Sequence, residues 1–257
     1  LFDEHNTSAT DQESQKLARH LNVTTDSSSP NWIGALAINS FRHFSSSLLA
    51  DDADPDQYDS YNVINGRRPI IDLSGITHLI ESTLSGADYD YLSSAGFQYQ
   101  TQQEDANANL RMHTNPSAYP KAWMAKNAIF SPIADETLHA MTQKDFKPKE
   151  LIYITGPTPP KQINSISETT LESTVNITSY TPTAIDINVS TNQLSWLIIT
   201  DSTTPQWQTY IDDKPAPQYT AFTTFKAAQV PIGNHKVSFR YESPATNLAY
   251  RLTSSAL

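Results

Sequence analysis

The sequence predicts an α+β chain, with an N-terminal mixed α/β region followed by a C-terminal antiparallel β-sandwich of about seven strands. Two observations carry this expectation. Helical signals, meaning caps followed by apolar stripes at a 3.6-residue period, are confined to the part before Gly156, and after it short runs alternate apolar and polar residues between turn-forming clusters.

Thr10-Asp-Gln-Glu13 fits a capping box, so a helix is expected from about Asp11, with Leu17, Ala18 and Leu21 as its apolar stripe. Ser27-Ser-Ser-Pro30 breaks it. Trp32 to Ile38 is an apolar run that suits a strand or a buried helix equally, and Asp51 to Tyr61 is an acidic loop. Around Gly75, Ile70, Ile71, Leu73, Ile76, Leu79 and Ile80 read as buried segments. Asp88 to Ala95 reads as a short helix closed by Gly96, where glycine takes a left-handed conformation most cheaply. Phe97 to Tyr99, Leu110 to Met112 and Ala122 to Ile129 alternate as strands. Ser131-Pro132 opens a helix through Leu138 and Met141 to about Lys144, and Leu151 to Ile154 returns as a strand.

Gly156-Pro-Thr-Pro-Pro160 favours a stiff extended connection, since proline cannot donate to a sheet ladder. The expected division is therefore a domain over 1–156, a linker over 157–161 and a sandwich over 162–257. Its strands are expected at Val175 to Tyr180, Ala184 to Ser190, Ser195 to Thr200, Trp207 to Ile211, Phe222 to Val230, His235 to Tyr241 and Leu248 to Leu252. Val237, Phe239 and Tyr241 point one way while Lys236, Ser238, Arg240 and Glu242 point the other, the pattern of a strand with one buried face. Trp196 to Ile199 is apolar on both faces and belongs at a sheet centre.

With 257 residues the chain can bury a sizeable core, and at 38% hydrophobic and 17% charged residues it lacks the high-charge signature of disorder. A net charge of −10 argues against sequence-independent nucleic-acid binding and against adhesion to anionic lipid heads. The absence of cysteine removes disulfides, thiolate metal sites and a thiol nucleophile. No apolar run reaches the ~18 residues of a membrane-spanning helix. The chain begins at Leu1 with neither Met nor a basic-then-apolar leader, as expected of a processed chain or a piece of a longer one.

Asp52, Asp54 and Asp56 alternate as in a calcium loop, but Gln57 stands where the glycine and Val63 where the bidentate acid would be. A solvated acidic loop is the plainer account. The seven histidines show no ligand spacing, and no Gly-x-Ser-x-Gly elbow is present. His235, at a strand start beside Gly233, reads as a hairpin cap. No catalytic residue and no cofactor is implied. Trp32, Trp123, Trp207 and Tyr210 are the candidate glycan contacts, because an aromatic face can cover the apolar face of a pyranose. For Trp196 and Trp207, on strands with inward patterns, the core is the favoured place; Tyr210, opposite in phase to Trp207, is expected to be exposed.

Trp196-Leu-Ile-Ile-Thr-Asp201, Pro205-Gln-Trp207, Tyr210-Ile-Asp-Asp-Lys214, Val230-Pro-Ile-Gly-Asn-His235 and Val237-Ser-Phe-Arg-Tyr241 resemble the C-terminal module of YfhO-like bacterial membrane proteins. There a strand ending in Asp leads to a Pro-Gly-Trp turn, an Asp-Gly-Lys hairpin and a Pro-x-Gly-x-His strand start. Gln206 and Asp213 replace the two glycines of that pattern. Upstream, Asn115-Pro-Ser-Ala-Tyr-Pro-Lys-Ala-Trp123, with Phe146-Lys-Pro-Lys149 after it, is similar to the family's Asn-Pro-x-x-x-Pro-Arg-Ala-aromatic segment. The resemblance implies the soluble extracytoplasmic tail of a GT-C type glycosyltransferase. Such a tail is tethered to the membrane-embedded part of its own polypeptide, is non-catalytic by itself, and positions or recognises an envelope glycan or a lipid-linked sugar acceptor. The rival expectations are a stand-alone secreted carbohydrate-binding or adhesion module and a secreted glycosidase.

Overall fold

The computed structural model describes residues 68–82, 90–99, 110–143, 145–157, 159–160 and 170–242. The helix expected near Asp11, the run from Trp32, the acidic loop and the last strand from Leu248 lie outside the described residues. Among the described residues the chain is mainly β with few helices and all strand pairs but one are antiparallel; the chain divides into two compact units. Among the described residues no helix is long and apolar enough to cross a membrane.

The first unit comprises 1–120 and 142–146. Helix α1 (Arg68–Leu73) buries Ile70, Ile71 and Leu73, and helix α2 (Asp90–Ser94) ends at Gly96 with φ +85°, as its sequence predicts. Strands β1 (His78–Ser82), β3 (Leu110–Thr114) and β2 (Gln98–Tyr99) form a small antiparallel sheet with β3 central. Asn115 ties the pieces together from a buried position. Its side-chain amide donates to Asp72 Oδ1 and to the Ile76 carbonyl, each at 2.9 Å, and its own carbonyl oxygen accepts from Arg68 and from the Ser117 amide. Arg68 in turn pairs with Asp72 at 2.8 Å and lies 3.9 Å from the centre of the Phe97 ring.

The second unit, 121–141 with 147–257, holds two sheets. The five-stranded one runs β11 (Lys214–Ala216), β10 (Trp207–Ile211), β14 (Gly233–Tyr241), β8 (Ala184–Thr191), β7 (Ser173–Thr181). The six-stranded one runs β4 (Ala122–Ala125), β9 (Ser195–Ser202), β13 (Phe225–Val230), β12 (Tyr219–Ala221), β6 (Leu151–Thr155), β5 (Asn127–Phe130). Helix α3 (Ala134–Met141) links β5 to its parallel neighbour β6. It starts after the expected Ser131-Pro132 opening, and Thr137 Oγ1 reaches back to Ser131 Oγ at 3.0 Å.

The order of the six-stranded sheet has a geometric consequence. Strands β4 and β5 stand at opposite ends of the hydrogen-bonded order, yet only Lys126 separates them. A two-residue step spans at most about 7 Å, whereas six strands laid flat at roughly 4.8 Å spacing would put the end strands about 24 Å apart. The sheet therefore curls back on itself: the segment 122–130 pairs with β9 through its first half and with β6 through its second. The interior face of that curl carries Trp123, Trp196, Ile198, Tyr219, Ile154 and Ala227, all buried. Trp123 stacks on Phe222 at 6.4 Å, and Trp196 meets Tyr219 edge-on at 5.1 Å. Its outer face presents Ala122, Met124, Leu197, Ile199, Ala228 and Val230. These form one apolar layer with Ile185, Ile187, Val189, Trp207, Val237 and Phe239 of the five-stranded sheet.

The chain after Gly156 thus leads from β6 of the six-stranded sheet to β7 of the five-stranded one, both within the second unit. Strands β4 to β6, which precede Gly156, complete the same sheet as β9, β12 and β13, which follow it. The expected strands from Val175 to Tyr241 are present, except that the one expected from Phe222 begins at Phe225, because Phe222 and Thr223 take positive φ in the turn before it. The structure adds β11 and β12, three residues each and too short to carry a period, and it splits the predicted strand from Ala122 to Ile129 at Lys126.

Candidate functional site

At one end of the apolar layer between the two sheets the packing turns polar. Lys226 lies on the same face of β13 as Ala228 and Val230, so strand alternation drives its side chain between the sheets, where it is fully buried. The ammonium finds three acceptors: Asp201 Oδ2 at 3.1 Å, the Ser202 carbonyl at 2.6 Å and the face of the Trp207 ring at 4.0 Å. That is the number an ammonium can satisfy. Burial pulls the Lys226 pKa below its ordinary value; Asp201 opposes this through both its charge and its hydrogen bond, and the nearby Lys121 adds to it.

From this centre, contacts run outward on both sides. Trp207 meets Tyr241 edge-on at 5.6 Å, across a directly opposed pair of β10 and β14. On the other side Tyr180 of β7 donates its hydroxyl to Asp201 Oδ2 at 3.2 Å, and Lys121 Nζ stands 5.4 Å from the Tyr180 ring while donating to the Thr200 carbonyl at 2.9 Å. Tyr180 is 49% and Tyr241 41% exposed. Two half-open rings therefore flank a carboxylate and an ammonium whose positions are held from beneath. Hydroxyl-rich ligands are bound by groups of this kind.

The candidates drawn from sequence fall out differently. Trp123 is only 4% exposed and lies inside the curled sheet against Phe222, so it has no ring face open to a sugar; it is a core residue. Trp207 is buried and one face is occupied by the Lys226 ammonium, which makes it the floor of the site rather than its contact surface. Tyr210 is partly exposed on the opposite face of β10 and donates to Glu242 at 2.8 Å, a bond that raises its pKa. Trp32, Asp52, Asp54 and Asp56 lie outside the described residues. Among the described residues no group of three or more His, Asp or Glu side chains could hold a metal ion. Tyr180, Tyr241, Lys121 and Lys226 were not singled out by sequence. The usable signal was Lys226, a charge inside an otherwise apolar strand facing a core.

Asp212 and His235 make a separate latch at the other end of β10. His235 Nδ1 meets Asp212 Oδ2 at 2.7 Å, its Nε2 lies 3.3 Å from the Ile232 carbonyl, and the Lys236 amide donates to Asp212 Oδ1 at 3.0 Å. With an acceptor beside each ring nitrogen the imidazolium is favoured: the hydrogen bond to Asp212 raises the His235 pKa, and that same bond lowers the Asp212 pKa. The cap expected of His235 is thus a side-chain bond to the neighbouring hairpin. Comparison with protein-family models, curated proteins and solved structures finds no match to this chain.

Proposed function

We propose that this chain is a non-catalytic glycan-recognition region. It corresponds to the extracytoplasmic C-terminal part of a YfhO-like, GT-C type glycosyltransferase, with a mixed α/β region leading into a β-sandwich, and it presents or orients a sugar acceptor for a membrane-embedded active site. The observation that carries the recognition reading is the unbroken series of contacts Tyr241, Trp207, Lys226, Asp201, Tyr180, Lys121, which has a half-exposed aromatic ring on either side of the Lys226–Asp201 pair. The link to the family rests on residues. Asp201 and Trp207 of the resembling pattern both hold Lys226, Asp212 and His235 hold each other, and Asn115 organises the first unit. The pattern is accounted for by contacts that keep the fold, consistent with a tail whose chemistry resides elsewhere.

Titration of the isotopically labelled chain with a panel of neutral and acidic monosaccharides and oligosaccharides tests the reading by NMR. Ligand-dependent shifts are expected at Tyr180, Tyr241 and Asp201, and Tyr180→Ala combined with Tyr241→Ala should weaken binding by about tenfold or more. Saccharide shifts confined to residues away from this end, or none at millimolar ligand, would remove the recognition role. Turnover of a glycoside would instead favour a secreted glycosidase.

A further inference from the structure

The charges at this end are unequal, and the imbalance points to the kind of sugar it takes. Two ammonium groups, Lys121 and Lys226, stand near one carboxylate, Asp201. That carboxylate is already engaged by Lys226 Nζ at 3.1 Å and by the Tyr180 hydroxyl at 3.2 Å. Lys121 has only neutral acceptors: the Thr200 carbonyl at 2.9 Å and the face of the Tyr180 ring at 5.4 Å. Among the described residues no carboxylate pairs with it. Glu242 accepts from the Tyr210 hydroxyl on the other face of β10, and Asp186 is bonded to Ser238 and Arg240. In a chain of net charge −10, one uncompensated ammonium thus lies over one of the two exposed rings of the site.

We infer that the site selects a pyranose bearing a carboxylate, a uronic-acid type residue, with its ring against Tyr180 or Tyr241 and its carboxylate on Lys121 Nζ. This inference rests on the recognition role proposed above and specifies its ligand. A single spare positive charge matches a carboxylate. A phosphate monoester, with about −1.5 to −2 charges near neutral pH, would leave excess negative charge facing Asp201. The ammonium keeps two N–H groups beyond its bond to Thr200, so a carboxylate can be accepted without breaking that bond.

The full chain, titrated separately with glucuronate, glucose and glucose 6-phosphate, provides the test. Glucuronate is expected to bind at least about tenfold more tightly than glucose, the worth of one charge-assisted hydrogen bond, and to shift the Tyr180 and Tyr241 resonances. In Lys121→Met the ratio of glucuronate to glucose affinity should fall to about one, whatever the change in glucose affinity itself. Equal binding of glucuronate and glucose, with Lys121→Met silent, overturns the charge inference and leaves sugar recognition standing. Tighter binding of glucose 6-phosphate than of glucuronate also overturns it. No binding of any of the three sinks both readings together.

Discussion

Lys226 is the residue at which folding and the proposed site meet. Breaking a buried pair by removing the partner of a buried charge costs about 3–5 kcal/mol, whereas replacing the charge itself by an apolar group of similar volume is often neutral or better. Asp201 is the more exposed partner and keeps the Tyr180 hydroxyl, so it can be rehydrated if Lys226 is lost. Asp201→Ala is therefore expected to destabilise by about 3 kcal/mol and Lys226→Met by less than about 1 kcal/mol, both read from denaturant unfolding. Similar losses in the two variants would contradict the asymmetry. The lowered Lys226 pKa has a second consequence. Between that lowered value and the ordinary 10.5, the unfolded chain holds a proton that the folded one has released, so this group makes stability rise with pH across the window. Tyr119, pushed up to about 12 mainly by burial, works in the opposite sense at the top of the range, as do Tyr219 and Tyr210 with their raised values. The difference between parent and Lys226→Met, followed as a function of alkaline pH, isolates the lysine: the parent should gain on the variant as pH rises.

Two hairpins adopt backbone conformations that their residues disfavour. Asp212 and Asp213 sit at φ 51° and 60° between β10 and β11, and Phe222 and Thr223 at φ 51° and 67° between β12 and β13. Consecutive positive φ values are what a two-residue hairpin turn requires, and glycine at the second position meets that need at least cost. Asp213 stands where the resembling family has glycine, and the structure shows that an αL position is indeed demanded there. Gln206, at the other substituted glycine, has no such φ. The Trp207 amide bonds to the Thr204 carbonyl at 3.1 Å with Pro205 next in the turn, a geometry open to any residue. Asp213→Gly should thus stabilise by about 0.5–1 kcal/mol, since it forfeits only an exposed 3.5 Å contact to Lys236. Thr223→Gly should gain about 1 kcal/mol, because the β-branched residue is the worse fit and its buried hydroxyl has no hydrogen-bond partner. Thermal unfolding of both variants decides this, and a lower Tm in either would mean that the side chain contributes packing beyond the strain it imposes.

At the scale of the whole molecule, the closing of the six-stranded sheet sets what can be cut away. A fragment over 162–257 would keep β9, β13 and β12 but lose β4, β5 and β6. Trp196 and Ile198 would then be left on an open face. It is expected to bind hydrophobic dyes and to unfold without a cooperative transition. A fragment over 121–257 keeps every strand of both sheets and should unfold cooperatively in denaturant. Cooperative unfolding of the shorter piece would show that the two sheets hold without closure.

Period-two patterning in the sequence located the strands from Val175 to Tyr241 and placed Val237 and Phe239 on a buried face, because strand alternation is a local property of a pleated backbone. It also placed Tyr210 opposite Trp207, while the glycine preference at helix ends placed Gly96. Tertiary structure alone decided which strands are neighbours. The Pro-rich stretch after Gly156 punctuates the backbone, but whether the strands on either side share a sheet depends on pairings more than 70 residues apart, such as Trp123 with Ile198. The same holds for the candidate site. The inward pattern favours the core for Trp207 and leaves Trp123 open, whereas both are buried and only their contacts separate a core ring from a site floor. Lys121, Tyr180, Asp201 and Lys226 come together from four strands or their ends, through contacts that no spacing along the chain encodes.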